Sequence, residues 1–345
     1  MNNKIRVTLL YGGKSAEHEV SIRSAESIEA SLDKEKYDVS KIFINPNGTW
    51  QLKNGETQNV LISPESGNLL TQEEVNTPQG VDVIFPVLHG PFGEDGTVQG
   101  LLKLANIPFV GPSVLGSAIG MDKDVTKRLL RDAGIPVAKF ITANKQTLPT
   151  YEQARTTLGE TIFIKPANLG SSVGVSKINN EADYLQATNE AFQYDTKIIL
   201  EETIQGREIE CSVLGNQNPE CSLPGEIIPT DNFYSYEEKY STKSQTKQEI
   251  PAKLDEGIVK KIQETSIRTF QTLCCEGMAR VDFFLKPDGA ILVNEINTIP
   301  GFTSISMYPK LWEASGLPYS KLLDKLIELA IERHTRDQKL LSTKG

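Results

Sequence analysis

The chain opens on KIRVTLLYGG, an apolar run closed by two glycines, which predicts a buried β-strand ending in a tight turn. The next stretch, SAEHEVSIRSAESIEASL, places Ala25, Ile28 and Leu32 at helical spacing. A second apolar run, VDVIFPVLHG, passes through the loop GPFGEDG into a helical pattern, TVQGLLKLAN. Strands that alternate with helices predict a parallel sheet, and ligands of such sheets lie beyond the carboxyl ends of the strands. Glu17 and His89 both fall just past such ends. Residues 45–80 are polar, with NPNG, KNG and SPESG turn signals, and read as a surface elaboration.

The pattern then changes. MDKDVTKRLLRDAGIP predicts a short helix stopped by Gly134 and Pro136. Strand (TIFIKP), glycine loop, strand (VGVSKI), helix (around Leu185 to Phe192) and strand (TKIILEE) follow, and GREIECSVLG supplies a further strand. Residues 225–252 are long, polar and studded with aromatics, the profile of a lid or a disordered loop. The last helix aligns Tyr319, Leu322, Leu323, Leu326, Ile327, Ala330 and Ile331 on one stripe, which is core packing. There is no internal repeat.

Composition narrows the function classes. A chain of 345 residues suggests two or three folded units. The net charge of −9 argues against nucleic acid or an anionic membrane as main partner, since both need a basic face. No apolar run approaches the roughly 20 residues needed to cross a bilayer, and VTLLY is too short for a signal-peptide core. Cys211, Cys221, Cys274 and Cys275 form no CxxC pair and read as thiols of a reducing compartment, which makes cytoplasmic residence the expectation.

Two glycine loops compete for phosphate. GGKS at 12–15 follows a strand and precedes a helix, but a Walker loop would need glycine where Thr8 stands, and the dinucleotide fingerprint is incomplete. It reads as a strand-to-helix turn that holds Glu17 near a helix start. The loop in FIKPANLGSSVGVSK joins two strands, so no helix dipole serves it. Its backbone N–H groups can instead wrap an anion as a nest, with Lys165 at the preceding strand end as a point charge.

The strongest signal is ARVDFFLKPDGAILVNEINTIPG. With Pro287 and Asp288 as a turn, Leu285 opposes Ala290, Asp282 opposes Val293 and Arg280 opposes Glu295. Period-2 alternation then puts Arg280, Asp282, Glu295 and Asn297 on one face. Two carboxylates and an amide form an all-oxygen set suited to Mg²⁺ or Mn²⁺ bridging phosphates, and unsuited to zinc. Arg280 beside them can offset charge on a transferred phosphoryl group. The bland alternative is a solvated hairpin face with Arg280 paired to Glu295.

GGKSAEHEVS, LHGPFGEDGTVQG, MDK, IKPANLGSSVG, FYSYEEKY, RVDFF and NEINTIPGFTSISMYP together resemble the D-alanine–D-alanine ligase family of ATP-grasp enzymes, from about residue 4 to 335. The resemblance implies an α/β (α+β), three-domain ATP-grasp fold: a Rossmann-like N-terminal domain (1–121), a central subdomain (122–213) and a C-terminal subdomain (214–345) with a lid near 225–252. It implies ATP-dependent joining of two D-alanines through a D-alanyl phosphate, for peptidoglycan precursors, with two Mg²⁺ ions (or Mn²⁺ in their place) and assembly as a homodimer.

Carried over by the resemblance, Lys123 and Lys165 hold ATP phosphates under the loop of Gly170, Ser171, Ser172 and Val173. Glu201, Glu202 and Ile204 meet the adenine and Glu208 the ribose, while Lys239, Phe284, Asn294 and Glu295 complete the nucleotide site. Asp282, Glu295 and Asn297 bind metal. Glu17, near His89, holds the ammonium of the first D-alanine. Arg280 and the Gly301 N–H stabilise an oxyanion, and Ser306, Met307 and Lys239 take the second D-alanine. Ser171 and Tyr240 join Glu17 in closing the lid. The resemblance names no base for the second amine. The nearest alternative is a D-alanine–D-lactate or D-alanine–D-serine ligase; depsipeptide-forming relatives tend to carry Phe in place of Tyr240. A non-catalytic nucleotide-binding protein and a nicotinamide oxidoreductase are more distant alternatives.

Overall fold

The computed structural model describes residues 4–54, 56–62, 69–71, 80–229 and 246–341. Three sheets organise them. In the first, strand Ile5–Gly12 lies between Tyr37–Ile44 and Val83–Val87, parallel to both. The helix His18–Ser31 packs on this sheet through Val20, Ala25 and Ile28.

Residues 45–80 differ from the expected surface elaboration. Strands Trp50–Asn54, Glu56–Ile62 and Leu69–Thr71 extend the same sheet antiparallel, giving six strands. Asn45 to Gly48 form the first turn, with Gly48 N–H donating to Asn45 O at 2.8 Å. The NPNG signal is the turn between Tyr37–Ile44 and Trp50–Asn54, so much of the described part of this stretch is strand.

The second sheet is antiparallel, in the order Phe140–Ala143, Ile198–Glu202, Ile162–Pro166, Ser176–Ile178. Helices Tyr151–Leu158 and Glu181–Tyr194 cover one face and close a core of Ala154, Leu158, Ile164, Tyr184, Ala187 and Leu200. The third sheet runs Lys247–Glu249, Gly225–Ile228, Arg207–Gly215, Gly277–Leu285, Ile291–Asn297, antiparallel throughout. Strand Arg207–Gly215 lies wholly in this sheet, across the expected boundary at 213/214. Gly225–Ile228 and Lys247–Glu249 are paired strands, so within 225–252 any lid is confined to a shorter segment than expected.

The first and third units share one core. Val7, Leu9 and Phe85 pack with Met278, Ile299, Phe302, Leu322 and Leu326, the last two from the helix Tyr319–Asp337. Polar contacts reinforce this seam: Tyr37 donates to Asp324 at 2.9 Å, and the Arg333 guanidinium donates to Phe109 O at 2.7 Å and to Gly111 O. The second sheet keeps a separate core. Among the described residues, no helix is long and apolar enough to cross a membrane.

Candidate active site

A cleft of about 630 Å³ opens between the second and third sheets, within the range of about 300–1,000 Å³ usual for small-molecule sites. Lys165 and the segment 169–172 line one wall, and Glu208, Phe284 and Glu295 line the other.

The glycine loop joins Ile162–Pro166 to Ser176–Ile178, as a hairpin should. Ser171, Ser172 and Gly174 have φ of 55°, 60° and 67°, in the left-handed region that L side chains rarely adopt. Such strain in two serines marks a loop held for function, in a turn conformation of the kind that forms anion nests. Only glycine fits at 174, where a Cβ would lie 2.8 Å from the Tyr194 ring. The Val173 N–H is not available: it turns back to Gly170 O at 3.2 Å. The root of the loop is tied down by Asp195, which accepts from Asn168 N at 2.8 Å and Asn168 Nδ2 at 3.0 Å. Lys123 Nζ donates to Leu169 O at 2.6 Å and lies 3.5 Å from Glu295, bridging loop and ribbon.

Below the loop is a buried triad. Glu201 is 2% exposed and pairs through one oxygen with Lys165 at 2.5 Å and through the other with Lys127. Burial alone would raise the Glu201 pKa, but the two ammoniums hold it down at about 2. Burial pulls Lys165 down, yet the Glu201 charge leaves it raised; Lys127 is lowered by burial, with Glu201 opposing. Two cations to one anion leave an excess positive charge under the cleft, suited to an anionic ligand. Both Glu201 oxygens are therefore engaged, which corrects the expectation of a carboxylate directed at a base. Glu202 likewise accepts from Lys139 N at 2.7 Å, and the segment 201–204 lines the cleft.

The third-sheet ribbon departs from the expected register. Leu285 pairs with Ile291, Asp282 with Glu295 and Arg280 with Asn297. Two causes combine. The turn takes in residues 286–290, closed by Lys286 N–H to Ala290 O at 2.9 Å, and a bulge at Asp282/Phe283 inserts Asn294. The bulge turns both Asn294 and Glu295 toward the cleft. Asp282 and Glu295 are thus direct neighbours rather than diagonal ones. Arg280 donates to both oxygens of Asp282, at 2.7 Å each, and Asn297 Nδ2 donates to Asp282 Oδ2 at 2.9 Å. Burial opposes the Arg280 charge, but Asp282 and Glu210 hold its pKa well above the ordinary value. Carboxylates on facing positions beside an amide fit a hard divalent cation that completes its shell with ligand oxygens. Among the described residues no three His, Cys, Asp or Glu groups enclose a metal by themselves.

At the end of the parallel strands, Glu17 is buried, and its Oε2 would meet a Cβ at Gly90 at 3.2 Å and one at Gly170 at 3.7 Å. Glu17 therefore lies between the His89 loop and the glycine loop. His89 Nδ1 bonds to Ile299 O at 2.9 Å, while its buried Nε2 has no hydrogen-bond partner among the described residues. Burial lowers its pKa and Glu17 opposes. Glu94 accepts from Gly90 N at 2.7 Å and Ile299 N at 3.0 Å. Burial, with the neighbouring Glu17, pushes it up to about 8.

Ser306 Oγ accepts from Thr303 N at 3.0 Å, and a Cβ at Gly301 would lie 2.7 Å from that oxygen. Met307 is corrected: its side chain is 4% exposed and packs with Ile227 and Leu311, leaving only backbone for a ligand. Lys239 and Tyr240 lie outside the described residues. Lys127, Glu94 and Glu210 were not singled out from sequence. The first carried a signal, four residues after Lys123 and so on the same helical face.

A family profile described as "D-ala D-ala ligase N-terminus" matches residues 6–112, and "D-ala D-ala ligase C-terminus" matches 129–328. The chain is 49% identical over 364 aligned positions to a D-alanine–D-alanine ligase of Oceanobacillus iheyensis, covering 99% of each. It is 47% identical over 362 to D-alanine–D-alanine ligase A of Escherichia coli K12, again covering 99% of each. Among solved structures, the D-alanine–D-alanine ligase from Coxiella burnetii superposes with a TM-score of 0.88 at 43% identity, covering 97% of this chain and 96% of that one. The VanG D-Ala:D-Ser ligase from Enterococcus faecalis superposes with a TM-score of 0.87 at 37% identity, covering 95% and 100%.

Proposed function

The chain belongs to the D-alanine–D-alanine ligase family, and from that premise we propose how its residues divide the work. It is an ATP-dependent ligase that joins two D-alanines for peptidoglycan synthesis and uses divalent metal ions. One observation carries the assignment of roles. The cation-rich glycine-loop wall faces Glu295 across one cleft, Asp282 pairs with Glu295 on the neighbouring strand, and Gly170 at the cleft edge abuts Glu17.

ATP lies with its phosphates between Lys123, Lys165 and the nest of 170–172, its adenine against the backbone near Ile204 and its ribose by Glu208. Asp282, Glu295 and Asn297 would hold two divalent cations, Mg²⁺ or Mn²⁺ in its place, which would supply charge neutralisation at the phosphates. Glu17 receives the ammonium of the first D-alanine. The carboxylate oxygen of that D-alanine attacks the γ-phosphorus, the bond to ADP breaks, and D-alanyl phosphate results. The amine of the second D-alanine then forms the C–N bond and loses a proton; the C–O bond to phosphate breaks as the tetrahedral centre collapses. Arg280 and the Gly301 N–H face the oxyanion, and Ser306 with the Met307 N–H orients the second carboxylate. Positioning and charge stabilisation supply most of the rate.

A division into three units, the first near 1–121 and the second ending before the strand Arg207–Gly215, homodimeric assembly and cytoplasmic residence are part of the same proposal. The VanG ligase keeps D-serine in view as the rival second substrate. Incubating the enzyme with ATP, D-alanine and equimolar D-lactate or D-serine across a range of pH, and identifying products by mass, tests this. D-alanyl-D-alanine as the main product is expected; a dominant mixed product would replace the reading.

A further inference from the structure

Three carboxylates stand in register across neighbouring strands: Glu210 opposite Asp282, and Asp282 opposite Glu295. Arg280 lies among them, its Nε 3.0 Å from Glu210 Oε2 and its two donors 2.7 Å from the Asp282 oxygens. Glu210 is 7% exposed, so its carboxyl sits in a nearly dry place with the Arg280 guanidinium against it. Asp282 is asked to do two things. Its oxygens hold Arg280, and the same electron pairs are the ones a cation would take. Once a cation draws on Asp282, a guanidinium held by that residue alone would lose its second anchor. Glu210 is one strand further from the Asp282–Glu295 pair and can keep the grip.

We propose that Glu210 is a positioning residue that keeps the Arg280 guanidinium aimed at the reacting centre while Asp282 serves the metal. The inference rests on the role given to Arg280 above. It also explains why a third carboxylate is buried on a strand whose neighbours in the row already supply the metal set.

The test compares Glu210→Gln, Glu210→Asp and Arg280→Lys at saturating Mg²⁺. Glu210→Gln lowers kcat about 10- to 100-fold, part of the about 10²–10³ usual for losing an oxyanion donor, with KM for ATP within about threefold because nucleotide contacts are untouched. Calorimetry with ADP and Mn²⁺ finds near-parental affinity, while a phosphinate dipeptide analogue of the tetrahedral state loses affinity in step with kcat. Glu210→Asp recovers part of both. A merely structural residue would lower thermal stability and leave the analogue-to-ADP ratio alone. Parental kcat in Glu210→Gln, or in Glu210→Asp should the first variant fail to fold, overturns the positioning role. Parental kcat in Arg280→Lys would instead overturn the role of Arg280 itself.

Discussion

Asp282 faces Glu295 directly across the ribbon of Gly277–Leu285 and Ile291–Asn297, because a bulge at Asn294 shifts the register just beyond them. Replacing Glu295 by Gln keeps shape and hydrogen bonding but removes half the paired charge. Turnover should fall by at least about 10³-fold, with circular dichroism and melting temperature near parental, as expected for loss of charge stabilisation at the reacting group. Activity within tenfold of the parent would remove the metal assignment.

In the buried Lys127–Glu201–Lys165 triad, one carboxylate is ion-paired with both ammoniums. Glu201→Gln leaves two buried cations without their shared counter-charge, and should cost about 3–5 kcal/mol in urea unfolding. Adding Lys127→Met should recover part of that loss, a coupling visible in a double-mutant cycle. A single-variant cost below about 1 kcal/mol would mean the triad is not held as described.

Glu94 has its carboxyl raised from 4.5 to about 8 by burial and by Glu17. Above pH 4.5 the unfolded chain releases this proton while the folded chain keeps it, so the unfolded state binds fewer protons and stability falls as pH rises. The loss builds up from about pH 4.5 to 8 and is on the order of 4–5 kcal/mol at most. Glu94→Gln should therefore gain stability relative to the parent with increasing pH. Melting curves at pH 5 and pH 8 measure this; a difference that is constant or shrinks toward pH 8 contradicts it.

Tyr240 lies outside the described residues, and its role comes from the family resemblance. Tyr240→Phe should raise the D-lactate product relative to D-alanyl-D-alanine by about tenfold, the order expected when a polar contact to a nucleophile's handle is lost. An unchanged product ratio would place Tyr240 among ordinary aromatics.

What was legible in the sequence follows the range of the interactions. The loop with Lys165 and the carboxylates of the ribbon were readable because each is built within one hairpin, where alternation and turn residues act locally. The register was misread because constant alternation and a shorter turn were assumed, whereas the turn takes in residues 286–290 and the adjacent polar pair Asn294–Glu295 marks the extra residue that breaks the alternation. The strands within 45–71 were missed because polar residues between turn signals read as loop, whereas pairing onto the edge of an existing sheet is not visible in local sequence. Glu201 was directed at the nucleotide because its true partner Lys127 lies on a separate element, 74 residues earlier in the numbering. Glu94 and Glu210 are meaningful only once Glu17 and Arg280 are seen beside them.

The most direct test is phosphate release from ATP by the full-length enzyme with D-alanine or L-alanine as the sole amino acid. With D-alanine, phosphate and D-alanyl-D-alanine should appear in equal amounts, and with L-alanine release should stay at the level seen without amino acid. Equal release with both, or release with no dipeptide formed, would contradict a cleft built to join two D-amino acids.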